Sequence, residues 1–210
     1  MNLLERRRAM ISALAKSQSL VFLEYIQSSG TQYIDTGIYS KSGLTIEYAF
    51  QIIGERSISV ALFGGREAST LNQLVCFMNT DRHIGIRFND SPSAYGPRIT
   101  IDDKKHVVKF VDNESYVDGE YNSRSMSSQP FLGNCTIFVF GVNTGGDFDT
   151  LQVIGQRAYS FKIKDGNSLV RNFIPCYRKS DNVAGMYDLV TNTFYTNAGT
   201  GDFIVGPDLN

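Results

Sequence analysis

The chain has 210 residues, 42% hydrophobic and 20% charged, the balance of a folded globular domain, and this excludes a disordered or low-complexity chain. Its net charge of −1 excludes a generalised nucleic-acid-binding surface. No apolar run approaches the roughly 20 residues that a membrane helix needs, so no membrane partner is expected.

Residues 2–16, NLLERRRAMISALAK, form the one predicted helix, because good helix formers dominate and neither Gly nor Pro occurs. Leu3, Leu4, Arg7, Ile11 and Leu14 fall near one face. Arg6, Arg7 and Arg8 make the one basic cluster. A helix this short is marginal alone in water and needs a partner. The arginines followed by AMISALA have the order of a secretory signal, but the apolar core is only about seven residues and Ser12 interrupts it. Retention in the cytoplasm is therefore expected. The division predicted is a helical arm, 1–18, and a β domain, 19–210.

From Leu20 the period changes to two. Val21, Leu23 and Tyr25 alternate with Phe22, Glu24 and Ile26. The turn SSGT and the short strand QYIDTG follow. Strands are predicted at 44–53, 58–65, 74–79, 83–89, 98–101, 106–113, 115–121, 135–143, 153–165 and 169–178, and hairpins close the chain. Roughly twelve to fourteen strands at near-regular spacing, with no helical pattern between them, predict an all-β, two-sheet antiparallel sandwich. Asp118-Gly119 marks a tight turn. Asp188 and Asn192 flank another, with Tyr187, Phe194, Tyr195 and Phe203 expected to pack beneath it. Expected inward residues are Ile46, Tyr48, Phe50, Val107, Phe110, Phe138, Phe140 and Phe161.

The three cysteines, Cys76, Cys135 and Cys176, each lie in an apolar strand-like run. Their odd number and wide spacing fit neither a disulfide framework nor a zinc ribbon, so buried free thiols are expected.

Several segments, in this order, carry a family resemblance: EYIQSSGTQYIDTG near the start, HVVKFVDNESYVDGEY in the middle, then QRAYSFKIKDGNSLVRNFIPCYR and GMYDLVTNTFYTNAGTGDF. Together they resemble a laminin-G-like, concanavalin A-like jelly roll of the kind found in phage virion and tail proteins and in gut-bacterial surface proteins. The resemblance spans about residues 20–207. It implies a non-enzymatic virion structural or adhesive protein, such as a head or tail decoration or a fibre or baseplate part, assembled in the host bacterial cytoplasm. The arm would anchor it to other virion proteins, with a homo-oligomer, a trimer for a fibre-like part, as the expected state. The jelly roll would face host glycans. The alternative is a bacterial cell-surface carbohydrate-binding module, and a divergent glycan hydrolase comes third.

Glycosidases on this scaffold carry E-x-D-x-x-E on one strand, a spacing that presents paired acids on one face. The chain has no such run. Glu114, Asp118 and Glu120 are the nearest cluster, but Asp118 and Glu120 flank a turn glycine, and the two histidines, His83 and His106, sit at strand ends. No G-x-S-x-G elbow occurs. No enzymatic activity and no cofactor are expected. Calcium is the one metal that the resemblance admits, and Asn143, Asp147 and Asp149 would supply hard oxygen ligands from one loop. A sugar would need an aromatic platform beside polar loop residues. Tyr95 with Arg98, Asn89 and Asp90, and Arg66 in the GGREAST segment, are the candidates.

Overall fold

The computed structural model of the protein describes residues 20–54, 59–96, 104–149 and 155–209. The predicted helical arm, 1–18, including Leu3, Leu4, Arg6, Arg7, Arg8, Ile11 and Leu14, lies outside the described residues, as does the predicted strand 98–101. Every element among the described residues is a strand. None of them forms a helix long and apolar enough to cross a membrane.

The strands make two sheets. The larger runs in the order β11 (Glu120–Arg124), β10 (Glu114–Val117), β9 (His106–Val111), β4 (Leu44–Ile52), β15 (Gln156–Asp165), β16 (Ser168–Arg178), β17 (Val183–Asp188) and β18 (Thr193–Thr196). At its margin β1 (Leu20–Phe22) pairs with β16, and β2 (Ile26–Ser28) pairs with β15 and β19 (Ile204–Val205). The smaller runs β14 (Asp147–Phe148), β13 (Val142–Thr144), β5 (Val60–Arg66), β6 (Gln73–Met78), β7 (Ile84–Asn89) and β8 (Ala94–Tyr95). Here β12 (Leu132–Val139) pairs with both β5 and β3 (Ile34–Lys41). All pairings are antiparallel except β13 with β5. The fold is the expected all-β, two-sheet jelly roll.

Alternation builds the core. Leu44, Ile46, Tyr48, Phe50 and Ile52 of β4 all face inward, and Thr45, Glu47 and Gln51 do not. Phe110 from β9 and Phe161 from β15 join them. Across the sandwich lie Phe63, Leu74, Cys76, Met78, Ile84, Ile86 and Phe88 of the smaller sheet. Tyr48 is the hub, with its ring centroid 5.5 Å from Phe50, 6.1 Å from Phe63 and 5.4 Å from Phe161. Its hydroxyl donates to Gln156 Oε1 at 3.1 Å, and Gln156 Nε2 donates to the Ala61 carbonyl of the other sheet at 2.9 Å. Gln156 thus ties the two sheets together through the core.

Two expected core positions differ. Val107 is only half-buried, and Val108 takes the inward place opposite Tyr48. Two adjacent valines leave the sequence pattern without a phase, and pairing with β4 sets it. Phe138 is buried, but outside the main core. Tyr33 stacks on it at 4.4 Å and on Phe148 at 4.4 Å. The predicted strand 135–143 is also broken. Phe140 adopts a left-handed φ of 75° between β12 and β13, with its ring buried 5.2 Å from Phe203. The Asp118-Gly119 and Asp188/Asn192 turns form where expected. Asp118, Gly119 and Asn192 have φ values of 51°, 90° and 55°. Asp188 accepts from Asn172 N, Val190 N and Thr191 Oγ1.

All three cysteines are free and buried. Burial pushes the Cys76 thiol far up and the Cys176 thiol up to about 12. Thiol titration of the native protein at pH 8 is expected to be slow and to reach all three only after unfolding. Rapid reaction of two or more in the native state would contradict this packing.

Candidate functional site

Two of the sequence candidates, Tyr95 and Arg66, lie on the outward face of the smaller sheet. Since Leu74, Cys76 and Met78 point into the core, Gln73, Val75 and Phe77 point out, and so do Gly85, Arg87 and Asn89 on β7. This face is closed in its middle: Ala61, Val75, Phe77 and Val142 form a second apolar cluster. Burial on both sides explains why β5 and β6 read as continuous apolar runs rather than alternating ones.

At the β7–β8 edge the face opens. Tyr95, 47% exposed, stands against the Phe77 ring, edge to face, at 5.7 Å. Gly85 makes room for this pair, because a Cβ there would come within 2.7 Å of Phe77 Cζ and 3.0 Å of the Tyr95 ring. The Arg87 guanidinium lies over the Phe77 ring, 5.1 Å from its centroid. Arg87 Nε donates to Ser93 Oγ at 2.9 Å, and among the described residues its two Nη atoms make no hydrogen bond. Burial and the neighbouring positive charge of Arg66 both lower the Arg87 pKa, against the opposing pull of Tyr95 and Asp149.

Arg66 is placed on the same face but is held fast. Its Nε donates to Thr144 Oγ1 at 2.9 Å and one Nη to Asp149 Oδ2 at 2.8 Å, with side chains only 7% and 16% exposed. It joins β5 to the β13–β14 hairpin. Asn89 and Asp90 are turn builders. Asn89 has φ 52°, its Nδ2 donates to the Gln129 carbonyl, and its own carbonyl accepts from Gln73 Nε2. Asp90 Oδ1 accepts from Asn72 N. Arg98 lies outside the described residues. Of the expected sugar-binding set, Tyr95 and Arg66 share this face, whereas Asn89 and Asp90 serve the loop at its other end. Arg87, Phe77 and Ser93 are additions that the sequence reading missed. The available signal was Arg87 itself, the lone charge in the apolar run IGIRF.

The loop proposed for calcium spends its donors internally. Asn143 Oδ1 accepts from Gly146 N, Asn143 Nδ2 donates to Thr136 Oγ1, and Asp149 pairs with Arg66. Asp147 is exposed. Among the described residues no cluster of three or more His, Cys, Asp or Glu is arranged to hold a metal. Of the hairpin charges, Asp118 accepts from Val107 N and contacts His106 Nδ1 at 2.7 Å, and Glu114 pairs with Tyr116 and Arg124.

No family model matches the chain, and no curated protein matches it. Solved structures do. The CBM40 of the Ruminococcus gnavus IT-sialidase, bound to α2,3 sialyllactose, is 13% identical with a TM-score of 0.47, over 65% of this chain and 89% of that one. A leech intramolecular trans-sialidase is 12% identical with a TM-score of 0.49, over 70% of this chain and 26% of that one. The heptameric SAP-like pentraxin from Limulus polyphemus is 11% identical with a TM-score of 0.42, over 89% of this chain and 93% of that one. At these identities the likeness is one of fold.

The chain is an all-β jelly roll of two packed sheets. The expectation of a phage virion component, with its virion location, virion partners and fibre-like assembly, is corrected. The structures named above are a sialidase's carbohydrate-binding module, a trans-sialidase and a pentraxin, and none of them is a virion protein. The reason is physical. The segments that carried the resemblance make strands and turns, so they specify fold and say nothing of setting.

Proposed function

We propose that the chain is a non-catalytic glycan-binding module whose contact surface centres on Tyr95 and Arg87 at the β7–β8 edge. One observation carries this reading: a half-exposed aromatic ring stands beside a half-buried guanidinium with two donor nitrogens that make no hydrogen bond among the described residues. A sugar presents an apolar C–H face and a rim of hydroxyls. The first stacks on an aromatic ring, and the second accepts from fixed N–H donors. Phe77 and Ser93 hold both groups in place, so little ordering entropy is lost on binding.

A glycan array followed by calorimetry tests the reading. At least one oligosaccharide is expected to bind the purified protein, with sialyllactose and lactose as first ligands to try. Tyr95→Ala is expected to weaken binding by about tenfold or more, which is about 1.4 kcal/mol, without moving the unfolding midpoint. Absence of binding across the array, or full binding by Tyr95→Ala, would overturn the proposal.

A further inference from the structure

Arg66 and Arg87 share the outward face of the smaller sheet, but their charges are treated differently. Arg66 is matched by Asp149 at 2.8 Å. Arg87 has no carboxylate partner among the described residues, although it is half withdrawn from water. Partial withdrawal from water favours an anion beside the guanidinium; Phe77 offers it a ring contact, and Asp149 acts on it without forming an ion pair. Burial first, and then the neighbouring charge of Arg66, lowers the Arg87 pKa, against the opposing pull of Tyr95 and Asp149.

The guanidinium is also pre-aimed. Its Nε is fixed by Ser93 Oγ at 2.9 Å and its guanidinium lies over the Phe77 ring, which leaves the Nη pair, unbonded among the described residues, as a fork at the partly open edge beside Tyr95. A fork of parallel N–H donors matches the two oxygens of a carboxylate better than it matches scattered hydroxyls. From this geometry we infer that the ligand is an acidic saccharide whose carboxylate is gripped by Arg87 while its ring stacks on Tyr95. The inference rests on the glycan-binding reading above and narrows it to one substrate class.

The test uses the full chain and oligosaccharides in matched pairs: uronate-terminated against the parent hexose, and sialylated against unsialylated. In wild type the acidic member of at least one pair is expected to bind about tenfold tighter, with a preference that shrinks as salt rises. Arg87→Gln, checked for folding by its unfolding midpoint, is expected to bring the two members within about twofold of each other. Arg87→Lys keeps the charge and loses the fork. It is expected to retain less than half of the preference, and it serves as the decisive variant if Arg87→Gln does not fold. Equal binding of both members by wild type would overturn the acidic-ligand inference and leave the glycan-binding reading standing. A preference undiminished in folded Arg87→Gln, or in Arg87→Lys, would also overturn the inference, since the carboxylate would then sit elsewhere. Failure of every oligosaccharide to bind would remove both.

Discussion

Tyr48→Ala is expected to destabilise the protein by about 3–5 kcal/mol, a large share of the roughly 5–15 kcal/mol that holds a domain of this kind together. The side chain is fully buried and sits at the centre of the aromatic group formed with Phe50, Phe63 and Phe161. Truncation removes its transfer free energy and leaves a cavity that neighbours on opposing sheets cannot close without moving both. It also strands Gln156 Oε1, which accepts from the Tyr48 hydroxyl inside the core. Tyr48→Phe separates the two effects. It keeps the ring and orphans only Gln156, so a cost of about 1–3 kcal/mol is expected. Equilibrium urea unfolding measures both. A loss below about 1 kcal/mol for Tyr48→Ala would mean that the two sheets are not packed through this residue.

Much of the fold was readable because β4 and its neighbours obey a strict two-residue rhythm. Leu44, Ile46, Tyr48 and Phe50 can only face one way if they are to be buried together. Turn chemistry was equally plain, since Asp118, Gly119 and Asn192 take left-handed backbone at the positions their residue types announce. The rhythm fails where both faces of a strand are buried. In β5 and β6 every residue is buried, so no alternation marks which side is core. The same ambiguity hid the phase of Val107 and Val108. The site was legible only in part. Tyr95 stood out as an aromatic residue among small ones in SPSAYGP. Arg66 could be named but not interpreted, because its partner Asp149 is 83 residues away and reaches it only through the β13–β14 hairpin. Arg87 was passed over because it looks like a strand residue, which it is. Its meaning comes from Phe77 beneath it and Ser93 beside it, contacts that depend on the β6–β7 register.

The protein is expected to lose stability steeply above about pH 9 and to approach its unfolding transition near pH 11. Cys76 and Tyr48 are fully buried, and burial raises both pKa values well above 9.0 and 10.0, the ordinary values of a thiol and a phenol. Burial likewise pushes Cys176 up to about 12. The direction of the effect follows from proton counting. Below pH 9 the folded and unfolded chains both keep these protons, and the stability is fully present. Above pH 9 the unfolded chain sheds thiol protons that the folded chain retains, so ionisation pulls the equilibrium toward unfolding. Each thiol then withdraws about 1.4 kcal/mol per pH unit, and Tyr48 joins above pH 10. For Cys176 the loss continues until the pH reaches the raised native value. By pH 11 the two thiols alone withdraw about 5 kcal/mol, enough to bring a domain of ordinary stability to its transition. Urea midpoints measured from pH 8 to 11 under reducing conditions are expected to fall steeply from about pH 9. Replacing both thiols, Cys76→Ala with Cys176→Ala, lowers stability at pH 8 through two small cavities. It is also expected to flatten the curve between about pH 9 and 10, leaving a later fall that begins where Tyr48 would ionise in the unfolded chain. A midpoint in wild type that stays level from pH 8 to about 10.5 would show that these groups are not held neutral in the core.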